Sequence, residues 1–402
     1  MGRIEELAAI GPIVGSNGER GSARLALTDD DKAGRDLVLT WMRDLGLAVT
    51  VDAIGNVVGT RPGLDDLPPV MTGSHIDTVR TGGRFDGNLG VLAGLEVIET
   101  LAASGIVTRH PISVAFFTDE EGARFAPDML GSLVYVGGLG LEEALDITGI
   151  DGARVGAELQ RIGYAGSSPC PGAAPSAFVE LHVEQGPVLE LEGFTIGAVT
   201  GVQGISWQEI TITGESNHAG TTPMRFRHDP NFAAGEIVRE VRRIAIQFGG
   251  DQVGTVGKID VFPNLVNVVP AKVTLTVDLR NTIESALQAA EARFAQFCEQ
   301  LAVAEGVTIT ARTLARFEPV VFDPDVIDLV EKTAVAAGHA TKRMPSGAGH
   351  DAQMLARVCP TAMIFVPSHR GISHNPAEHT DPADLEAGAN VLLDVVVSLA
   401  NR

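Results

Sequence analysis

Strands and helices alternate along much of this chain, and this alternation constrains the fold more than any other feature of the sequence. The run PISVAFFT at 111–118 is apolar throughout, which is typical of a strand that is buried on both faces. Residues 33–46 and 88–104 repeat apolar side chains at helical spacing. Alternation of this kind predicts an α/β fold, with a large mixed, mostly parallel sheet flanked by helices.

The pattern changes in the middle of the chain. Between about 203 and 317 the predicted order is strand, helix, two strands, helix and strand, which is the split β-α-β-β-α-β arrangement of a ferredoxin-like layer. The chain then returns to helices and to an apolar strand at 361–368. We therefore predict a catalytic domain formed by 1–202 and 318–402, interrupted by an inserted ferredoxin-like α+β domain at 203–317.

Local signals mark the ends of several predicted helices. Asp229 is placed to cap a helix over 229–246, and Pro230 occupies its first position, where a missing N–H costs nothing. Gly46 closes the helical run predicted over 33–46, in the position of a C-terminal cap.

The charge of the chain narrows the class of partner. Its 402 residues contain 30 Lys and Arg against 51 Asp and Glu, a formal net charge of −21, which repels phosphate backbones and anionic membranes. We expect a small-molecule partner, with no nucleic acid and no membrane. The three cysteines are widely spaced and predict neither a disulfide framework nor a thiolate metal site. Without a signal-like N-terminal segment or a long apolar run, we expect a cytoplasmic protein.

Six separated motifs contain side chains that bind metal ions. They are GSHID at 73–77, RFDGN at 84–88, TDEEG at 118–122, ELHVEQG at 180–186, SNHAGTTP at 216–223 and GISHNPAEHT at 371–380. Their imidazoles and carboxylates favour zinc, manganese, cobalt or nickel over magnesium or calcium. Three of the motifs directly follow predicted strands, and ligands collect beyond the carboxyl ends of parallel strands. The sequence therefore predicts that these motifs converge on one edge of the sheet.

A pair of divalent ions that share one water needs a bridging carboxylate and two further ligands for each ion. We assign Asp86 as the bridge, His75 and His182 to the first ion, and Glu121 and His374 to the second. Taken singly, each of these residues is more often a structural or solvent-exposed group than a ligand. Their co-occurrence favours a catalytic site with two divalent ions.

Two further acidic residues have predicted roles beside the ions. Asp77 lies two residues after His75 and is suited to accept the second imidazole proton, which would hold the ring in place. Glu120 stands beside a predicted ligand and is free to take a proton from the nucleophilic water and to pass it to a leaving nitrogen. Glu120 is therefore the candidate general base.

The motifs resemble those of one enzyme family. GSHIDTV, GGRFDGNLGVLAGLEV, FTDEEGARF, LHVEQGPVLE, HAGTTPM, NVVP, DLR, SGAGHDAQ and FVPSHRGISHNP are similar to sequences of the hydantoinase/carbamoylase branch of the M20 metallopeptidase-like amidohydrolases. That branch includes N-carbamoyl-L-amino acid hydrolases, allantoate and ureidoglycolate amidohydrolases and β-ureidopropionases. The resemblance covers nearly the whole chain and implies a zinc-peptidase-like catalytic domain. Other M20 members usually have an acidic residue at the position of His182, so this histidine favours the ureido-hydrolysing branch.

The resemblance also implies roles for residues outside the metal-ligand set. In the family, the inserted domain is a lid that forms the dimer interface, so a homodimer through this domain is expected. His218 would polarise the scissile carbonyl, Asn267 and Arg280 would bind the substrate carboxylate, and Gln185 would contact the substrate. A guanidinium suits a carboxylate because it offers paired planar donors. Gly349 would let backbone amides approach the ligand, although a tight turn explains a glycine equally well.

The chain departs from the family pattern beside the site. Arg80 and Thr81 stand where relatives commonly have proline, and His369 and Arg370 precede His374. The added positive charge would favour a second carboxylate on the substrate. Apart from the resemblance, a surface ion pair is the simpler interpretation of an arginine such as the one in DLR.

The sequence thus predicts a metal-dependent amidohydrolase that cleaves the C–N bond of N-carbamoyl (ureido) amino acids to amino acid, ammonia and carbon dioxide. Allantoate and ureidoglycolate are alternative substrates. An M20 dipeptidase or N-acyl amino acid deacylase that uses the same ions is a second hypothesis. A catalytically silent binding protein is a third, and the intact Glu120–Glu121 pair argues against it.

Overall fold

The computed structural model describes residues 1–402 and divides into two compact units. Unit 1 comprises Met1–Gly201 and Val321–Arg402, and unit 2 comprises Val202–Val320. The elements up to residue 202 are α1 (Gly2–Ala8), β1 (Pro12–Val14), β2 (Arg20–Ser22), α2 (Asp29–Asp44), β3 (Ala48–Val51), β4 (Val57–Arg61), β5 (Val70–His75), α3 (Asn88–Ala103), β6 (Ile112–Phe117), α4 (Leu130–Tyr135), α5 (Leu141–Asp146), α6 (Val155–Ile162), β7 (Ala177–Val183), α7 (Val188–Glu192) and β8 (Ile196–Val202).

The remaining elements follow in chain order. Those before residue 318 are β9 (Gly204–Thr213), β10 (Asn217–His218), α8 (Pro230–Phe248), β11 (Val253–Thr255), β12 (Ile259–Phe262), β13 (Val268–Val269), β14 (Lys272–Asn281), α9 (Glu284–Glu305) and β15 (Thr308–Phe317). The last are β16 (Val320–Val321), α10 (Pro324–Ala336), β17 (Thr341–Ser346), α11 (Asp351–Leu355), β18 (Thr361–Val366) and α12 (Pro382–Ala400). No helix is both long enough and apolar enough to span a bilayer.

Unit 1 is built on a nine-stranded mixed sheet. Its strand order is β16-β8-β18-β7-β5-β6-β4-β3, with β17 paired to β8. The central strands β18, β7, β5 and β6 are parallel to one another, whereas β8, β4 and β3 pair antiparallel. Every residue of β5, β6 and β7 is buried, as the apolar run at 111–118 predicts. The predicted mixed α/β fold is confirmed, and its parallel part is the central group of four strands.

Helix α3 packs closely on the centre of this sheet. It contacts β5, β6 and β7, and α12 contacts α3 as well as β5, β7 and β18. Gly90 makes the close approach possible, because a Cβ atom at this position would lie 2.6 Å from the carbonyl oxygen of Leu181. The start of α3 is thereby held at the carboxyl end of the parallel strands, where Asp86 and Gly87 immediately precede it.

Two fully buried arginines connect the elements that surround this edge. Arg35 on α2 donates hydrogen bonds to Asp31 Oδ2 (2.7 Å), to the Gly55 carbonyl (2.7 Å) and to Thr118 Oγ1 (3.2 Å). Arg24 donates to the carbonyl of Ile76 and to Asn88 Oδ1, both at 2.8 Å. Each guanidinium donates several hydrogen bonds to buried acceptors, and that of Arg35 also has a buried carboxylate partner. These contacts hold the segments after β5 and β6 in place.

Unit 2 is a five-stranded antiparallel sheet with the helices α8 and α9 packed against it. The strand order is β11-β14-β9-β15, and β12 also pairs with β14. The order of elements is the one predicted for a ferredoxin-like layer, with the second strand divided into β11 and β12. Asp229 caps α8 as predicted, since its Oδ1 accepts hydrogen bonds from the N–H groups of Asn231 and Phe232. The core of the unit consists of aliphatic side chains from the sheet and from both helices, together with the ring of Phe294.

Candidate metal centre

Three of the predicted ligands form one buried group. His75 is the last residue of β5, His182 lies near the end of β7, and Asp86 lies in the loop before α3. Asp86 Oδ1 is 3.2 Å from Nε2 of His182 and 3.7 Å from Nε2 of His75. Their potential ligand atoms all lie within 4.8 Å of one another. The parallel strands therefore bring together residues that are more than one hundred positions apart.

Both histidines of this group present a lone pair on Nε2. The Nδ1 atom of His75 lies 2.9 Å from the Asp77 carbonyl, and that of His182 lies 2.9 Å from the Val183 carbonyl. Because a carbonyl oxygen only accepts, the proton of each neutral ring is assigned to Nδ1. The N–H of Gly87 donates to Nε2 of His182 (3.2 Å), which agrees with this assignment. This tautomer is the one that a metal-ligating imidazole requires.

The second group lies on the other oxygen of the same carboxylate. His374 Nε2 is 3.4 Å from Asp86 Oδ2 and 3.2 Å from Glu121 Oε2. These three residues also form a set that could hold an ion. The side chain of His374 is 48% exposed, whereas the histidines of the first group are buried. Asp86 thus directs one oxygen to each group, as a bridging carboxylate would.

Asp77 contacts the site in a different way from the one predicted. The main-chain carbonyl of Asp77 is the group that lies at hydrogen-bond distance from His75, while its carboxylate is 3.9 Å from the same ring nitrogen. The carboxylate instead accepts from the N–H groups of Glu120 (3.3 Å) and Glu121 (3.4 Å). Burial raises the pKa of Asp77 to about 6. Asp77 therefore contacts the His75 imidazole through its main-chain carbonyl. Its carboxylate binds the N–H groups of the turn formed by Glu120 and Glu121, here called the acidic turn.

Glu120 lies beside the first group. Its Oε2 is 3.3 Å from Nε2 of His75, and its side chain is buried. Burial raises the pKa of Glu120 well above the usual range of a carboxyl group. A carboxylate with a raised pKa is a better proton acceptor, which is the property that the predicted general base needs.

Gln185 contacts the bridging residue directly. It adopts a positive φ of 58°, and its Nε2 donates a hydrogen bond to Asp86 Oδ2 at 2.8 Å. The preceding residue, Glu184, accepts hydrogen bonds from the N–H groups of Val188 and Leu189 at the start of α7. Gln185 is therefore held at the second group of ligands. Its predicted contact with a substrate remains a prediction.

Comparison with known proteins identifies the family. Residues 71–398 match the model of peptidase family M20/M25/M40. The chain belongs to this family. N-carbamoyl-L-amino-acid amidohydrolase of Rhizobium meliloti is 42% identical to this M20 chain, over 99% of this chain and 95% of the relative. Allantoate amidohydrolase of Bacillus subtilis is 34% identical, over 96% and 94% respectively.

The solved structures give the same result at the level of the fold. The hydantoinase/carbamoylase family amidase from Burkholderia multivorans superposes with a TM-score of 0.96 and 46% identity, covering 100% of this M20 chain and 97% of that chain. Both the family and the fold class predicted from the sequence are confirmed.

The M20 chain has a third group of potential ligands, which the motifs alone do not predict. Glu180, His182 and His350 are buried together. Both carboxylate oxygens of Glu180 already accept hydrogen bonds, from Ser74 Oγ (2.6 Å) and from the N–H of Ala352 (2.9 Å). The ring of His350 packs 4.5 Å from that of His182, which suits a residue that supports a ligand. The signal in the sequence was the histidine of SGAGHDAQ.

Two predicted substrate-binding residues of this M20 chain lie on one short ribbon of unit 2. His218 on β10 pairs with Val268 on β13, and the N–H of Ala219 donates to the carbonyl of Asn267 (2.9 Å). His218 Nδ1 accepts hydrogen bonds from the N–H groups of Gly220 (3.1 Å) and Thr221 (3.2 Å). The proton of the neutral ring must then be on Nε2. The exposed edge of His218 is therefore a hydrogen-bond donor.

Arg280 forms an ion pair within unit 2. Its Nη2 lies 2.9 Å from Asp278 Oδ2, and its guanidinium lies 5.7 Å from the centre of the Trp207 ring. The ion-pair alternative that the sequence left open is thus present in the structure. Gly349 lies in a loop where a Cβ atom would approach Met129 Cε to 2.9 Å, a contact with the end of a flexible side chain, so its predicted role in substrate binding remains a prediction.

The basic residues that depart from the family pattern are exposed. His369 Nδ1 lies 2.7 Å from Glu190 Oε1, and the N–H of Arg370 donates to the other oxygen of Glu190 (2.6 Å). The side chains of Arg80 and Arg370 are exposed. Thr81, next to Arg80, donates from Oγ1 to the carbonyl of His374 at 3.0 Å. Arg80 is therefore adjacent in the chain to a residue that contacts the second group.

Proposed function

We propose that this M20 chain is a two-metal amidohydrolase that cleaves the C–N bond of N-carbamoyl (ureido) amino acids to amino acid, ammonia and carbon dioxide. The observation that supports it best is the position of Asp86, whose two oxygens face two separate groups of ligands. The relative from Rhizobium meliloti, named for this activity and similar over nearly its whole length, supports the choice of substrate class.

The donor set suits two divalent ions. His75, His182 and Asp86 Oδ1 would hold one ion, and Glu121, His374 and Asp86 Oδ2 would hold the other. The mixture of imidazole and carboxylate suits zinc, manganese, cobalt or nickel. When bound, such ions polarise a carbonyl and lower the pKa of a shared water toward neutrality.

Side chains of this protein carry out the remaining steps of the proposed reaction, which are proton transfer, stabilisation of the developing charge and binding of the substrate. Glu120 takes a proton from the attacking water and delivers it to the leaving nitrogen, a role that its burial and raised pKa support. His218 donates its Nε2–H to the substrate carbonyl as negative charge develops on the oxygen, which the tautomer of its ring supports. Arg280 and Asn267 hold the acid end of the substrate, and Gln185 contacts the substrate beside Asp86.

The direct test is hydrolysis of a panel of substrates, followed by ammonia release for the ureido compounds and by release of free amino acid for the N-acetyl amino acids and dipeptides. Protein stripped of metal and then reloaded with zinc, manganese, cobalt or nickel is assayed on N-carbamoyl-L-amino acids, allantoate, ureidoglycolate, N-acetyl amino acids and dipeptides. We expect metal-dependent ammonia release from the N-carbamoyl compounds. Hydrolysis confined to dipeptides or N-acetyl amino acids would refute the proposal.

Allantoate is the second candidate substrate. The observation that favours it is the similarity to allantoate amidohydrolase of Bacillus subtilis over nearly the whole chain. Both candidates contain a ureido group and a carboxylate, so the same residues would serve. A larger kcat/KM on allantoate than on every N-carbamoyl amino acid of the panel would select it.

We also propose that the protein forms a homodimer through unit 2. Strand β12 lies beside β14 only, and its side chains Ile259 and Phe262 are 47% and 67% exposed. Leu265 and Val266, in the loop that follows, are exposed as well. An edge strand with exposed apolar side chains is a surface that another chain is expected to cover.

Light scattering should give the mass of a dimer for the wild-type protein, and Phe262→Glu should shift the protein toward monomer. A monomeric wild-type protein would contradict this proposal.

A further inference from the structure

The main chain of the loop before α3 determines where the bridging carboxylate points. The side chain of Asp86 is short, so the positions of its oxygens depend on the backbone of residues 85–87. Phe85 and Asp86 are buried, and buried N–H groups need an acceptor. The loop has no strand partner that could supply one, because β5 ends at His75 and α3 begins at Asn88.

Glu378 supplies the acceptor. Its Oε1 accepts hydrogen bonds from the N–H of Phe85 at 2.9 Å and from the N–H of Asp86 at 3.1 Å. The side chain of Glu378 is 2% exposed, and a hydrogen bond to a charged acceptor is stronger than one between neutral groups. A single carboxylate oxygen thus holds two consecutive peptide groups of the loop.

The loop is shaped to receive this carboxyl group. A Cβ atom at Gly83 would lie 2.2 Å from Oε1 and 2.3 Å from Cδ of Glu378. Any side chain at position 83 would therefore displace the glutamate. Glu378 therefore packs closely against the backbone of Gly83 and also accepts hydrogen bonds from the two N–H groups.

Glu378 also belongs to the segment that contains His374. The two residues are four positions apart, and the N–H of Glu378 donates to the carbonyl of Asn375 (2.9 Å). At the other end of the contact, Thr81 Oγ1 donates to the carbonyl of His374 (3.0 Å). The segment 374–378 and the loop 81–86 are therefore joined at two points. These two contacts fix the separation of Asp86 and His374, whose Oδ2 and Nε2 atoms lie 3.4 Å apart.

We propose that Glu378 is a positioning residue that sets the bridging carboxylate relative to His374, and that it thereby controls binding of the second ion. This inference rests on the proposed two-metal function. The first group is less dependent on Glu378, because His75 and His182 lie at strand ends and contact the carbonyl groups of Asp77, just after β5, and of Val183, the last residue of β7. The second group depends on both joined segments. Loss of the contact between Glu378 and residues 85–86 should therefore weaken binding of the second ion more than binding of the first.

The test is a metal titration that requires no substrate. Wild-type protein, Glu378→Ala and Glu378→Gln are stripped of metal and titrated with zinc in competition with a chelator, and thermal unfolding is recorded with and without metal. We expect two ions per wild-type chain. In Glu378→Ala the weaker ion should lose affinity by about tenfold or more, the usual effect of removing a residue that supports a ligand, while the tighter ion changes less.

Glu378→Gln separates positioning from charge. Its amide oxygen still accepts from Phe85 and Asp86, so the variant should keep both affinities close to those of the wild type. Equal losses in the Gln and Ala variants would show that the negative charge matters and would overturn the positioning role. Wild-type affinity for both ions in Glu378→Ala would overturn it as well.

A matched control comes from another buried carboxylate. Asp52 Oδ1 accepts hydrogen bonds from the N–H groups of Ile54 (3.1 Å) and Asn56 (2.8 Å), in a loop outside both ligand groups. Asp52→Ala should lower the melting temperature and leave both metal affinities unchanged. If Asp52→Ala weakened the second ion as much as Glu378→Ala does, general destabilisation would explain the result and the proposal would fail. Wild-type protein that binds no pair of ions would refute the proposed function itself.

Discussion

Asp86 is the residue on which the chemistry of the site depends, because its two oxygens have different surroundings. Oδ1 faces the buried imidazoles of His75 and His182. Oδ2 faces His374 and also accepts hydrogen bonds from Gln185 Nε2 (2.8 Å) and Ser373 Oγ (3.1 Å). Donors on one oxygen compete with a cation for its lone pairs. The two ions are therefore expected to be held unequally, with the first more tightly than the second.

Substitution of Glu120 tests the separation of proton transfer from metal binding. Glu120→Gln keeps the size of the side chain and removes its basicity, so both ions should remain bound while turnover falls by about 10²- to 10⁴-fold. Metal content is measured by elemental analysis beside the rate of ammonia release. Asp86→Ala is the contrasting variant and should lose metal as well as activity. Full activity in Glu120→Gln would exclude this residue as the general base.

Gly87 tests how closely the loop approaches the first group of ligands. Its φ is +64°, and a Cβ atom would lie 2.3 Å from Cε1 of His75. Gly87→Ala should therefore displace the imidazole and weaken the first ion. Gly105 offers a matched control, because its φ is +65° and no atom lies within 4 Å of a Cβ built there.

The two alanine variants share a positive φ, but only at Gly87 would a Cβ atom meet another side chain, and there a ψ of −50° adds to the backbone strain. Gly105→Ala should lower the free energy of unfolding by about 1 kcal/mol, the cost of a positive φ, and leave metal binding unchanged. Gly87→Ala should lower it further and reduce the metal content. Urea denaturation and elemental analysis measure the two effects. Equal behaviour of both variants would mean that His75 tolerates a methyl group at this position.

At the scale of elements, the parallel strands bring the motifs together. β5, β7 and β18 are neighbours in the sheet and β6 lies beside β5, so their carboxyl ends meet at one edge. The segments that follow or end these strands contain His75, Glu120, His182 and His374. An antiparallel sheet would have sent alternate motifs to opposite edges.

Helix α2 supports this edge through a buried ion pair. Arg35 and Asp31 are both fully buried, and Asp31 Oδ2 also accepts from the N–H of Leu27 (2.7 Å). Arg35→Met would leave the carboxylate without its counter-ion and would remove the donor to Thr118 at the end of β6. The free energy of unfolding should fall by about 3–5 kcal/mol, as measured by urea denaturation.

A second substitution separates the unpaired charge from the other effects. Arg35→Met combined with Asp31→Asn should recover part of the lost stability, because no buried charge is then left unpaired. A loss below about 0.5 kcal/mol in the single variant would be typical of a surface site and would contradict the supporting role of the pair.

The sequence predicted the elements that have local signals and missed the contacts that depend on packing. The helix capped by Asp229 and the buried strand at 111–118 follow from neighbouring residues, and the structure contains both. The buried position of Arg35 could not be predicted, because its partners Gly55 and Thr118 are 20 and 83 residues away. Glu378 was missed for the same reason, although it lies within a motif that was recognised.

The same contrast between local signals and contacts that depend on packing holds for the candidate metal centre. Strand ends and paired acidic residues were visible in the sequence, so the side chains that surround Asp86 could be named. Which atom of Asp77 would contact His75 could not be deduced, because the carbonyl and the carboxylate of one residue compete for the same ring nitrogen. The N–H groups of Glu120 and Glu121 in the acidic turn donate to the carboxylate of Asp77, so the carbonyl of Asp77 is the group that contacts His75.

At the scale of the whole molecule, negative charge is concentrated at the candidate metal centre. The chain has a formal net charge of −21, and several of its carboxylates are buried around this centre. Burial raises the pKa of Asp77 to about 6 and that of Glu378 to about 7. The hydrogen bond to Glu121 raises the pKa of His374 to about 9. Divalent cations would compensate for this charge, so metal binding should stabilise the fold.

Chelation at different pH values tests this. In metal-free protein, Asp77, Glu378 and His374 bind protons more tightly when folded than when unfolded. Their contribution to stability is therefore fully present below their ordinary pKa values and is lost as the pH rises through about 6, 7 and 9. His350 acts in the opposite direction, because burial lowers its pKa, but burial also raises the pKa values of Asp119, Glu120 and Asp351, which act in the same direction as the three groups.

Metal-loaded protein should respond with the opposite sign, since ligands must lose their protons to bind an ion. The melting temperature of chelated protein should fall between about pH 5.5 and about pH 8.5, and the difference between loaded and chelated protein should widen over the same range. Calorimetry with and without EDTA at constant ionic strength measures both. Glu378→Gln provides the control, because removal of one of the three groups should reduce the slope of the chelated protein. A difference in melting temperature that does not change with pH would show that the buried carboxylates do not couple metal binding to folding.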